Sequence, residues 1–171
     1  MKAAAFILLV LSIVESTHGQ DQARYDELVT KAFAQYEQKE FRASGATYSS
    51  AFEVLGWKGT STDRYNAACS WALAGVADSA FFQLRLIAER MDYANLAHIT
   101  KDSDLNSLHP DERWTAVIAM IEANKERLEA NYDKPLVALL DSIFAVDQDL
   151  RSQIPELEAR FERGSEELKA H

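Results

Sequence analysis

The sequence predicts an all-α protein, and three observations carry that prediction. Only three prolines and six glycines occur in 171 residues, too few for the many turns of an all-β chain. Apolar residues recur three and four apart through most of the chain, the spacing of one helical face. Two segments also repeat each other at an offset of 36: Ala32 matches Ala68, Ser44 matches Ala80, Tyr48 matches Leu84 and Ala51 matches Ile87. An internal period of that length marks stacked helical hairpins. The expected architecture is a short helical-hairpin solenoid, closed by a capping segment and followed by a C-terminal amphipathic helix.

The elements follow in order. MKAAAFILLVLSIVESTHGQ has one lysine, an apolar run from Ala3 to Val14 and a polar end, the three parts of a secretory signal peptide. Twelve apolar residues fall short of the roughly 20 a membrane span needs, and the expected cut lies after Gly19, leaving residues 1–19 as leader. The alternatives are an uncleaved anchor or a buried helix. Export, to the periplasm or beyond, is therefore expected. Asp21 to Gln38 carries Tyr25, Leu28, Val29, Ala32, Phe33 and Tyr36 on one stripe and forms the first helix. Lys39-Glu40-Phe41 interrupts it. A second helix from about Ala43 is closed by Gly56 and Gly59 around Trp57. Thr60 to Asp63 offers N-cap side chains, so a third helix runs from about Asp63 to Ala74. Gly75 turns the chain, and a fourth helix reaches Arg90.

These hairpins resemble the tetratricopeptide repeat (TPR), in which small residues on paired helices meet and a glycine occupies the turn. Ala68, Trp71, Gly75, Ala80, Leu84 and Ile87 match that pattern in the second copy. The first copy departs from it, with Lys39 at the turn position and Ser44 at the small one, so a longer or more strained turn is expected there. After Arg90 come a short helix near Tyr93 to His98, an acidic loop, a helical turn from Asp104 to Leu108 and a long helix opened by Pro110. This stretch resembles the segment that closes many arrays of such repeats in bacteria, covering the exposed end of the stack. The repeat region with its cap is thus assigned to residues 20–130.

Asn131 to Lys134 reads as a boundary, and residues 131–171 as a further helical segment. Leu136, Leu139, Leu140, Ile143, Val146, Leu150, Ile154, Leu157 and Phe161 form its apolar stripe, with a kink or break expected at Pro155. The stripe can pair copies of the chain or pack back on the preceding helix. Its start, with Asp147-Gln148 and Arg151, resembles the opening of an uncharacterised domain that follows such repeats in exported bacterial proteins. That resemblance implies an alternative reading, in which the repeats are the scaffold of a truncated protein whose enzymatic or ligand-binding domain is mostly missing. An i,i+4 ion pair is the simpler role for Asp147 and Arg151.

The formal net charge of −9 repels phosphate backbones and anionic membrane surfaces, which disfavours nucleic-acid binding. No catalytic elbow, P-loop or dinucleotide fingerprint occurs. The four histidines are scattered, and the single Cys69 reads as a small buried hydrophobe, so no metal, cofactor or enzymatic activity is expected. His98 is expected to be partly buried and hydrogen-bonded. Asp102 and Asp104 lack the glycine and distal glutamate of a calcium loop and read as helix caps.

What remains is recognition of a protein or peptide partner by a surface. The TPR resemblance implies a concave groove lined by the first helices of successive hairpins. Carried over by register, its lining is Val29, Phe33 and Tyr36 from the first and Tyr65, Asn66 and Cys69 from the second. Asn66 offers a donor and an acceptor to a peptide backbone, with internal bridging as an equal alternative. Core packing rivals that role for Phe33 and Tyr36.

Overall fold

The computed structural model describes residues 2–130 and 132–160, with side chains from Gly19 onward. Seven α-helices and one 3-10 helix account for its regular structure, with no strand among the described residues. They are α1 (Lys2–Glu37), α2 (Phe41–Val54), α3 (Ser61–Leu73), α4 (Ala77–Arg90), α5 (Leu96–Lys101), a 3-10 helix (Ser103–Leu108), α6 (Glu112–Glu129) and α7 (Lys134–Arg160). The chain divides into two compact units between Leu128 and Glu129. No helix among the described residues is long and apolar enough to cross a membrane. Phe161 and His171 lie outside the described residues, as does Asn131.

In the first unit α1 packs on α2, α2 on α3, and α3 on α4. The eight residues matched by the 36-residue offset are all at most 1 % exposed. Small side chains at Ala32, Ala51, Ala68 and Ala80 let the helix backbones approach. Ser44 stands where the second copy has alanine because its hydroxyl has partners: it donates to the Ala32 carbonyl at 2.7 Å and meets Ser70 Oγ at 2.9 Å. Gly45 is the other close approach. A Cβ there would come within 2.6 Å of the Trp71 ring, so the indole of α3 lies directly on the backbone of α2.

The two hairpin turns have the same length and the same bonds. Lys39 N–H donates to the Tyr36 carbonyl and Glu40 N–H to that of Gln35, both at 2.8 Å. Gly75 N–H donates to Ala72 at 3.0 Å and Val76 N–H to Trp71 at 2.9 Å, the same pattern 36 residues on. Both are Schellman closures whose pivot residue is left-handed, with φ of 62° at Lys39 and 71° at Gly75. The first turn is therefore strained rather than longer, because a side chain sits where glycine is at ease. Phe41 belongs to α2, not to the turn. Its ring meets that of Tyr36 edge-on at 5.6 Å.

Several boundaries differ from expectation, each for a local reason. The Thr60 side chain accepts the Asp63 N–H at 3.0 Å, so α3 begins at Ser61. The short helix after Arg90 starts at Leu96 rather than Tyr93. Asn95 caps it by accepting the His98 N–H at 3.1 Å, while Tyr93 N–H bonds back to Ile87 at 3.1 Å. Pro110 precedes α6 rather than opening it, since Asp111 Oδ1 accepts the Arg113 N–H at 3.0 Å. Helix α7 runs through Pro155 without ending.

One core joins Tyr65, Leu84, Ile87, Ile99, Leu105, Leu108, Val117 and Ile121, drawing on α3 to α6. A second gathers Tyr25, Leu28, Tyr48 and Phe52 at the α1–α2 end. Polar ties fasten the segment after Arg90 to the second hairpin. Asn124 donates to the carbonyls of Ala88 at 2.8 Å and Tyr93 at 3.0 Å. Arg113 bonds Asp78 at 2.7 Å and lies 4.3 Å above the Phe81 ring. In the second unit none of the described α7 residues is buried, and Asp147 pairs with Arg151 at 2.7 Å.

Candidate functional site

Helical spacing sends Phe33 and Tyr36 from α1, and Tyr65, Asn66 and Cys69 from α3, to one side of the first unit, where they line a cavity of about 350 Å³. Tyr48 of α2, His98 of α5, Asp102 at the N-cap of the 3-10 helix and Asp104 in its first turn complete the wall. Five of the six residues expected in the groove thus meet in one cavity. Val29 does not: it packs beside the second core, against the cluster of Tyr25 and Leu28.

Their burial separates two kinds of lining. Tyr65 and Cys69, each 5 % exposed, belong to the core and show the cavity only an edge. Phe33 is 52 % exposed and stands open at the rim. Its ring stacks on Tyr36 at 6.3 Å, which fixes the pair on α1. The Asn66 side chain lines the cavity beside Tyr48.

The two aspartates organise the polar side. Asp102 Oδ1 accepts the Asp104 N–H at 3.0 Å, the expected cap, while its Oδ2 accepts the Tyr65 phenol at 2.8 Å. The Tyr36 phenol donates to Asp104 Oδ2. The Cys69 thiol points to Asp102 Oδ2 at 3.8 Å. His98 is exposed rather than partly buried. It stacks on Tyr65 at 4.7 Å, meets the Tyr93 hydroxyl at 3.0 Å through Nδ1 and places Nε2 4.0 Å from Asp102.

This arrangement holds protons on its neutral groups. Burial, then the hydrogen bond to Asp102, pushes the Tyr65 phenol well up; at Tyr36 the bond to Asp104 leads and burial follows. Burial raises Tyr48 to about 12 against the opposing influence of Asn66. Cys69 is pushed up by burial and then by the fields of Asp102 and Asp104. A buried thiol of this kind is a poor nucleophile.

The fold also makes a grouping that sequence spacing did not reveal. Cys69 Sγ and one carboxylate oxygen each of Asp102 and Asp104 lie within 4.8 Å of one another. A divalent cation there would have to displace the thiol proton and compete with the tyrosine donors. Sequence spacing does not mark Tyr48, His98, Asp102 or Asp104 as cavity residues, since Tyr48 is simply matched with Leu84 in the repeat and the aspartates read as caps. A signal did exist for Asp102, which follows Asn66 by the same 36 residues that relate the hairpins. The chain matches no protein-family model, no curated protein and no solved structure.

Proposed function

We propose that this protein is an exported, non-enzymatic interaction module whose hairpins form a short TPR-like solenoid and receive a peptide or protein partner on the concave side. The observation that carries this reading is the cavity walled by Phe33, Tyr36, Tyr65, Asn66 and Cys69, five residues chosen by repeat register and drawn from two different helices. A half-exposed aromatic at the rim and an amide within are the groups a groove uses to hold an extended chain. With two hairpins the contact is short, and binding is expected in the micromolar range, about −8 kcal/mol. Phe33→Ala removes a rim contact, and Asn66→Ala removes the amide, without touching the fully buried core. Each is expected to weaken capture of a partner peptide several-fold, measured by calorimetry, with far-UV circular dichroism unchanged. Undiminished capture by both variants would remove the groove from consideration.

A second reading concerns α7. Its residues Leu136, Leu140, Ile143, Leu150 and Ile154 are 47–58 % exposed. With Asp147 they follow an alternating spacing of four and three, a seam that a second copy of the same helix can share as a coiled coil. Light scattering of the full chain is expected to give a mass above one protomer, and Ile143→Asp with Leu150→Asp to return it to one. A monomeric parent would rule this pairing out.

A further inference from the structure

We infer that the cavity is built to take the primary ammonium of a lysine side chain presented by the bound peptide. This rests on the groove reading above and names the chemistry of its occupant. The aromatic rings of Phe33, Tyr36, Tyr48 and Tyr65 form much of the wall, and the charged side chains facing it are the aspartates 102 and 104, with His98 beside them. No lysine or arginine lines it. Nor does either carboxylate form an ion pair with lysine or arginine among the described residues. Their nearest donors are the phenols of Tyr36 and Tyr65, which orient the carboxylates without neutralising them. Two negative charges facing a cavity that no lysine or arginine lines attract a cation through the carboxylates.

The spacing favours a compact head. Carboxylate oxygens of the two aspartates lie within 4.8 Å of each other, so one nitrogen can sit at hydrogen-bond distance, about 2.8 Å, from both. A guanidinium needs a free carboxylate edge for its two-pronged contact. Both oxygens of Asp102 already accept a bond, from Tyr65 and from the Asp104 backbone, and Asp104 Oδ2 accepts one from Tyr36. The Cys69 thiol also points to Asp102 Oδ2, and the lone pairs that remain, on Asp102 Oδ1 and on Asp104, suit an ammonium, whose three donors can be directed separately. The same charge rejects a peptide C-terminal carboxylate.

The test uses the full chain, immobilised, with EDTA throughout and a degenerate library of heptapeptides acetylated at the N-terminus and amidated at the C-terminus. Lysine is expected to be enriched about tenfold at one position of the retained pool, in line with one charge-assisted contact. Enrichment should vanish when lysine side chains are acetylated, and should fall about tenfold in Asp104→Asn, which keeps the acceptor for Tyr36. Asp102→Asn is the second variant should the first unfold. Retention without lysine enrichment, or equal enrichment of arginine, overturns the ammonium site while leaving the groove standing. Retention that appears only when EDTA is replaced by zinc assigns the aspartates and Cys69 to a metal and also overturns it. No retention of any peptide overturns the groove and this inference together.

Discussion

Gly45 is the residue whose importance is least visible in the sequence and plainest in the fold. It lies mid-helix, where glycine costs about 1 kcal/mol against alanine in an isolated helix, yet a Cβ there would press to 2.6 Å of the Trp71 ring. The rigid indole has no flexible end to give way. Gly45→Ala is therefore expected to destabilise the protein by about 1–3 kcal/mol despite the better helix propensity, read as a lowered midpoint in urea. A stabilised variant would mean that Trp71 does not rest on this backbone. Ser44 teaches a related lesson. Pattern matching marked it as a departure from alanine, whereas its hydroxyl is paired inside the interface with Ala32 and Ser70.

At the scale of elements, the two hairpin turns are a natural comparison of one geometry with two residues. Glu37 to Phe41 and Leu73 to Ala77 close with the same bonds, but Lys39 holds a φ of 62° where Gly75 holds 71°. Left-handed backbone costs an L-residue about 1–2 kcal/mol, partly offset by glycine's larger loss of entropy on folding. Lys39→Gly is expected to stabilise the first hairpin by up to about 1 kcal/mol, seen as a higher thermal midpoint. An unchanged or lower midpoint would show that the turn bears no strain worth relieving. Helix positions were legible because apolar spacing sets them, and their ends were less so because single side-chain caps decide them. Asn95 moves the start of α5 by three residues from the expected Tyr93, and Asp111 leaves Pro110 outside α6.

For the whole molecule, folding is linked to protons at both ends of the pH scale. Hydrogen bonds from Arg113 hold the Asp111 carboxyl down at about 2. Its contribution is complete above its ordinary value of 3.8 and is lost as pH falls toward about 2. At the alkaline end Tyr25, Tyr48 and Tyr93 are each raised to about 12, chiefly by burial. A group raised on folding supports the fold below its ordinary value, 10 here, so stability should decline as pH rises from about 10 toward 12. Thermal midpoints across pH, followed with phenolate absorbance, are expected to show both limbs, and Asp111→Asn to flatten the acid one. A parent profile flat from pH 8 to about 12 would contradict burial of these phenols. The sequence by itself determined the helical class, the 36-residue pairing of buried positions and Gly75 as a pivot, because periodicity and repeat register are local properties of the chain, while five of the cavity residues were implied by the repeat resemblance. Only the tertiary structure decided that Asp102 and Asp104 face Tyr65 and Tyr36, that Val29 turns to the other core and that Gly45 carries Trp71. The contacts of Asp102, Asp104 and Gly45 join residues 26 to 68 positions apart, across helices whose mutual orientation no local spacing encodes.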